Sequence, residues 1–169
     1  MLKCNQIMCI CTAFGGVIMN KICTFAGHAD GPYGKYMYKK MISCIEQLIC
    51  EKNISEFWVG GYGSFDTLSI LTVSELKKRY PHIRLCNVIP YMTSFVIRHK
   101  AEYEEMFDEI IIPDICEKTP KCAYIPLCNQ YMVDKSDVLI CFVKVERGGA
   151  FNTFRYAQKK SKEIINLAD

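Results

Sequence analysis

Apolar residues fall along this chain in two alternating rhythms. Lys21–Ala26, Glu56–Gly60, Ile83–Ile89, Glu109–Pro113, the run opening at Val138 and Glu163–Leu167 are short, apolar and rich in β-branched or aromatic residues. Runs of that kind bounded by glycine or proline predict buried strands. Between them the spacing lengthens to the helical period. Met37, Met41, Ile42, Ile45, Leu48 and Ile49 recur at helical spacing within Lys35–Lys52, which predicts a helix with one face on a sheet. A second helix starts at Ser64, the expected N-cap, carries Asp66 in its first turn and ends near Tyr80 before Pro81. Glu102–Phe107 predicts a short helix, Asp114–Pro126 an irregular segment broken by prolines, and Asn129–Lys135 the end of a further helix. Six strands alternating with helices predict an α/β fold with a mainly parallel sheet.

The junction after Val138 is the most informative. A buried strand ends in Gly148-Gly149 and a helix follows at once. The first backbone N–H groups of a helix lack internal partners, so such a junction attracts anions, phosphate above all. Glycine leaves no Cβ between that backbone and a ligand. In parallel sheets ligands sit outside the strand C-terminal ends. Gly27-His28, Gly60 to Asp66, Pro90-Tyr91 and Gly148 to Thr153 all follow strands on that edge, and together they predict a ligand site.

Composition narrows the classes. The chain has 169 residues, half of them hydrophobic, which suits a single ordered domain. A formal net charge of +3 is too small for a nucleic-acid groove. Lys77-Lys-Arg79 and Lys159-Lys-Ser-Lys162 sit near predicted helix C-termini, where cations offset the macrodipole. Eleven cysteines, an odd number without a regular framework or a Cys-x-x-Cys pair, point away from disulfides and from zinc, and towards a reducing cytoplasm. Cys23, Cys86 and Cys141 lie within strand runs, as small core residues do.

Residues 1–18 stand apart from the domain expected over 19–169. Ile7 to Ile18 is apolar but too short to span a bilayer, and Lys3 alone is a thin signal-peptide n-region. Gly15-Gly16 must be encoded GGN-GGN, which accommodates a ribosome-binding sequence ahead of Met19. We expect translation to start at Met19; a translated leader would be a flexible arm or an added edge strand.

Three blocks resemble the YpsA-like branch of the SLOG superfamily. They are Cys23-Thr-Phe-Ala-Gly-His28, then Gly60-Gly-Tyr-Gly-Ser-Phe-Asp66 with Ser74-Glu-Leu-Lys-Lys-Arg-Tyr-Pro81, and Asn129–Ile140 with Gly148-Gly-Ala-Phe-Asn-Thr-Phe-Arg-Tyr-Ala157. The resemblance runs from about Met19 to Leu167 and implies a Rossmann-like three-layer sandwich. It also implies a pocket for a nucleotide or nucleotide-derived ligand; we expect no further cofactor, and the cysteine spacing leads us to expect no metal. On it we assign ligand contacts to Gly27, His28, Gly60, Gly61, Tyr62, Gly63, Ser64, Asp66, Pro90, Tyr91, Asn129, Arg147, Gly148, Gly149, Ala150, Asn152 and Thr153. Tyr62, Tyr91 and Tyr131 are the candidates for stacking on a base. The Gly148-Gly149 loop, with Arg147 before it and Asn152 and Thr153 after it, is the expected phosphate cradle. Asp66 would repel phosphate, so its loop is expected to meet ribose hydroxyls or a base edge.

Two departures shape the functional reading. Relatives carry arginine after the loop histidine, whereas Ala29 follows His28 here. The LOG-type phosphoribohydrolases carry a glutamate shortly after their glycine-threonine turn, whereas Phe154, Arg155, Tyr156 and Ala157 follow Thr153. The expectation is therefore a cytoplasmic, homo-oligomeric binding module that senses or sequesters a nucleotide-type signal, in a bacterial–phage conflict. The alternative is an N-glycosidic hydrolase using Asp66. A DNA-binding role like that of DprA is disfavoured by the weak charge.

Overall fold

The computed structural model describes residues 20–31, 33–115 and 117–168. The expectations for residues 1–18 lie outside them. Strands β1 (Lys21–Gly27), β2 (Ile54–Val59), β3 (Arg84–Val88), β4 (Glu109–Ile111), β5 (Val138–Phe142) and β6 (Glu163–Asn166) form one sheet in the order β4-β3-β2-β1-β5-β6. All five pairings are parallel, so the expected mainly parallel sheet is wholly so. The chain builds outward from β1 through β4, then crosses back to lay β5 on the other side of β1. The two halves part at the β1–β5 seam, the switch point where open sheets of this kind leave a crevice.

Strand period 2 sends alternate side chains to opposite faces. Cys23, Phe25, Phe57, Val59, Leu85, Val138, Ile140 and Phe142 share one core with Met41, Ile45, Leu48 and Ile49 of α1 (Lys35–Lys52) and Phe65, Leu68, Val73 and Leu76 of α2 (Ser64–Lys77). The intervening positions face the other way. Ala26, Leu139 and Cys141 meet Val133 and Ala157, while Trp58, Cys86 and Val88 meet Met132. Those partners belong to α5 (Tyr124–Lys135) and α6 (Gly148–Lys159). The result is the three-layer, Rossmann-like sandwich. Each large side chain buried this way contributes about 1.5–3 kcal/mol.

The structure corrects three local expectations. The helix expected to end with Asn129–Lys135 begins at Tyr124, inside the segment expected to be irregular. Pro126 falls in its first turn, where the missing N–H has no acceptor to lose. A short helix α3 (Ser94–Arg98), capped by Thr93 accepting the Val96 N–H at 3.2 Å, precedes α4 (Lys100–Met106). Its five residues are too few to show a period. Ser64 is the first residue of α2 rather than its cap. Gly63 holds the cap position with φ 110, and the Ser64 hydroxyl donates to Ala29 O instead.

Candidate functional site

A cavity of about 410 Å³ lies at the C-terminal ends of β1 and β5. Its floor is Phe25, Ala26 and Gly27, and its walls come from the loops after β1 and β2 and from α5 and α6. Gly27 is fixed by packing. A Cβ there would stand 2.2 Å from Phe65 Cγ, so only glycine lets α2 close on the end of β1. Gly27 also pairs in register with Phe142, which brings the β1 and β5 loops side by side.

Hydrogen bonds join those loops. His28 Nε2 accepts the Lys144 N–H at 3.3 Å, and the His28 carbonyl accepts the Tyr33 hydroxyl at 2.8 Å. Ala29 O accepts the Ser64 N–H at 2.8 Å as well as its hydroxyl. A Cβ on Gly63 would lie 2.8 Å from Ala29 Cα. The β1–α1 and β2–α2 loops are thus held against each other through backbone contacts.

Asp66 is the buried charge of the site, 9% exposed. Its Oδ2 accepts the Tyr62 N–H at 2.7 Å, closing the Gly60–Gly63 loop over the start of α2. Burial pushes its carboxyl up from 3.8 to about 6, against the lowering effect of the Tyr62 and Gly61 N–H groups. Across the cavity, Gly148 takes φ 84 and opens α6. A Cβ on Gly148 or Gly149 would have nothing within 4 Å. Thr153 turns its hydroxyl back to Gly149 O at 3.0 Å, so it supports the turn that presents those N–H groups.

Of the residues expected from sequence, Gly27, His28, Tyr62, Asp66, Asn129, Gly148, Gly149, Ala150 and Thr153 line the cavity. Asn152 lines an adjoining 90 Å³ recess with Asn129, Gly149 and Thr153. The other expected contacts stand back from it. Gly60, Gly61, Gly63 and Ser64 shape the loop that carries Tyr62. Pro90 is buried, Tyr91 packs edge-on against Tyr124, and Arg147 is exposed at the α6 cap. Tyr131 stacks on Trp58, so Tyr62 alone of the three expected tyrosines lines the cavity. Ala29, Asp30, Gly31, Ile125 and Met132 are lining residues that sequence reasoning missed. Asp30 carried a signal, being a carboxylate in the glycine-rich loop after β1. Ile125 and Met132 carried none, because their contact depends on how α5 lies over the sheet.

The first basic cluster is wholly paired, and Lys160 and Lys162 of the second are engaged too, Lys162 with the Asp134 and Ser136 carbonyls. Lys77, Lys78 and Arg79 pair with Asp108, Glu75 and Glu46, and Lys160 pairs with Asp134. Among the described residues no group of three or more His, Cys, Asp or Glu could hold a metal ion, and no helix is long and apolar enough to cross a membrane. Cys23, Cys44, Cys50, Cys86, Cys122, Cys128 and Cys141 are free thiols.

Comparison with known proteins places this geometry. The chain is 27% identical over 135 residues to the SPbeta prophage-derived protein YoqJ of Bacillus subtilis, covering 71% of this chain and 79% of that one. It is 22% identical to the UPF0398 protein BH1768 of Halalkalibacterium halodurans, covering 68% and 64%. In solved structures its fold is similar to the DNA processing protein A of Helicobacter pylori, with TM-score 0.57 and 18% identity. That match covers 85% of this chain and 63% of the neighbour. It is also similar to the molybdenum cofactor carrier protein of Chlamydomonas reinhardtii, with TM-score 0.54 and 12% identity, covering 89% and 77%. The chain thus spans less than two thirds of the BH1768 and H. pylori proteins, and these structural likenesses speak for the fold. The family model for YpsA, the YspA SLOG family, matches residues 21–167. The chain belongs to the YspA SLOG family.

Proposed function

We propose that this protein binds a nucleotide or nucleotide-derived ligand in the β1–β5 cavity, and that it senses or sequesters that ligand without consuming it. One observation carries the reading. The open glycine start of α6 and the buried Asp66 face the same cavity from opposite sides of the switch point. Backbone N–H groups at the helix start suit a phosphate, and a buried carboxylate suits donors such as ribose hydroxyls. Tyr62 supplies a ring for a base, and Asn129 a two-way hydrogen-bonding edge. Past Thr153, α6 offers Phe154, Arg155 and Tyr156 but no carboxylate for a sugar-cleaving step. The likeness to a prophage-derived relative supports a setting in which phage and bacterium compete over such a signal.

A second reading, hydrolysis of an N-glycosidic bond, draws on Asp66. A carboxyl held at about 6 in a cleft is suited to general acid–base work near neutrality. Incubation of the purified protein with nucleoside monophosphates, NAD and ADP-ribose, followed by chromatography, separates the two. Binding with ligand recovered intact after denaturation is the expected result. Steady release of free base that Asp66→Asn abolishes would establish the enzyme instead. Single-stranded DNA, the ligand named for the H. pylori neighbour, is disfavoured by the pairing of Lys77, Lys78 and Arg79 and a cavity lining without lysine or arginine. We place the protein in the cytoplasm as a homo-oligomer. Exposed Tyr91, Met92, Phe95 and Ile97, before and along α3, offer the apolar surface for pairing, and analytical ultracentrifugation tests that assembly.

A further inference from the structure

The electrostatics of the cavity are one-sided. Among the described residues that line it, none is a lysine or arginine, while two are carboxylates: Asp66 on α2 and Asp30 on the β1–α1 loop. The adjoining recess adds no charged side chain. His28, the one other titratable side chain of the β1–α1 loop in the lining, turns its Nε2 to the Lys144 N–H at 3.3 Å, which ties the ring to the β5–α6 loop. The cations close in sequence, Lys144 and Arg147, are exposed outside the lining, and the Lys144 ammonium lies over the Phe142 ring at 5.3 Å.

Positive potential inside the cavity therefore comes from backbone, chiefly the start of α6. A helix N-terminus presents about half an elementary charge. That suits one phosphoryl group and leaves nothing for a second or third. Terminal phosphates beyond the first bring more negative charge to a lining whose side chains repel it. A site built for polyphosphates meets this charge with lysine, arginine or a bound cation, and the lining has neither of those side chains.

We propose that Asp66 and Asp30 make this cavity a charge filter, admitting nucleoside monophosphates and phosphodiester-linked nucleotides and rejecting nucleoside di- and triphosphates. The inference rests on the nucleotide-binding reading and names the ligand class of that same site.

Titration calorimetry with the mono-, di- and triphosphates of adenosine, guanosine, cytidine and uridine tests it, in EDTA and again in Mg²⁺. For the best-bound base, the monophosphate is expected to bind at least tenfold more tightly than the diphosphate. A ratio below tenfold in either buffer overturns the filter. Asp30→Asn combined with Asp66→Asn should narrow the ratio to threefold or less by strengthening diphosphate binding. An unchanged ratio in the folded double variant overturns the assignment to these carboxylates. If the double variant fails to fold, Asp30→Asn alone, on its exposed loop, should narrow the ratio at least threefold, and an unmoved ratio again counts against it. Tight ATP binding would sink the filter and leave the nucleotide-binding reading standing. Failure of all twelve nucleotides, NAD and ADP-ribose to bind would sink both.

Discussion

At the scale of single residues, Asp66 and two glycines separate function from stability. The Asp66 carboxyl moves from 3.8 to about 6 on folding because the folded protein strips water from it. Between those values the native state holds the proton more tightly than the unfolded chain. Asp66 therefore contributes stability that is full below pH 3.8 and is lost as pH rises through about 6, a difference of about 3 kcal/mol. Asp66→Asn removes this pH dependence. Relative to the native protein, the variant should gain on the order of 2–3 kcal/mol between pH 4 and pH 8 in urea unfolding. An equal stability difference at both pH values would show that the carboxyl is not perturbed by burial. Gly27→Ala drives a methyl group into Phe65 and should cost about 1–3 kcal/mol, read as a lower unfolding midpoint. Gly149→Ala meets nothing within 4 Å, so it should leave the midpoint within about 0.5 kcal/mol while lowering nucleotide affinity by about tenfold. Parallel loss of stability and binding in that variant would count against an open cradle.

At the scale of elements, the site depends on which loops are tied to which. The Ser64 hydroxyl and N–H both reach Ala29 O, so the start of α2 is anchored to the loop after β1 rather than capped by its own side chain. Ser64→Ala should cost about 1 kcal/mol and loosen both loops together without shortening α2. Amide exchange checks this. Faster exchange in Ala29–Gly31 and Gly61–Gly63, with the middle of α2 unchanged, is the expected pattern. Fraying confined to α2 would restore the capping role. Thr93 does cap, accepting the Val96 N–H, yet it serves a five-residue helix away from the cavity. Thr93→Ala should therefore cost about 1 kcal/mol of stability and leave ligand affinity unchanged.

At the scale of the whole molecule, one six-stranded sheet carries buried apolar clusters on both faces, and we expect the two layers to unfold as one cooperative unit. Trp58, the chain's one tryptophan, is 7% exposed near the sheet centre and stacks on Tyr131 of α5. Its Nε1–H donates to buried Glu56, which Arg84 and Asn20 also contact. Tryptophan fluorescence and far-ultraviolet dichroism should report the same urea midpoint, and saturating ligand should raise both together. Two separated transitions would show that the α1–α2 and α5–α6 layers unfold apart, against a single domain.

The alternation of short apolar runs with helical periods was enough to determine the α/β class and the strand positions, because buried parallel strands and one-sided helices impose those patterns locally. Two glycine loops were legible for the same reason: a helix start and a positive φ are conditions on neighbouring residues. The tertiary structure alone decided which loops meet. The crossing that lays β5 beside β1 brings Gly148 and Asp66 to one cavity, while Tyr91 packs on Tyr124, Tyr131 stacks on Trp58 and Arg147 stays at the α6 cap. It also decided that Ser64 ties two loops and that Ile125 and Met132 form part of the wall. Burial, and with it the raised carboxyl of Asp66, comes from packing between elements distant in sequence. Periodicity within one element carries no record of its neighbours, and the electrostatic character of the cavity arises from those neighbours.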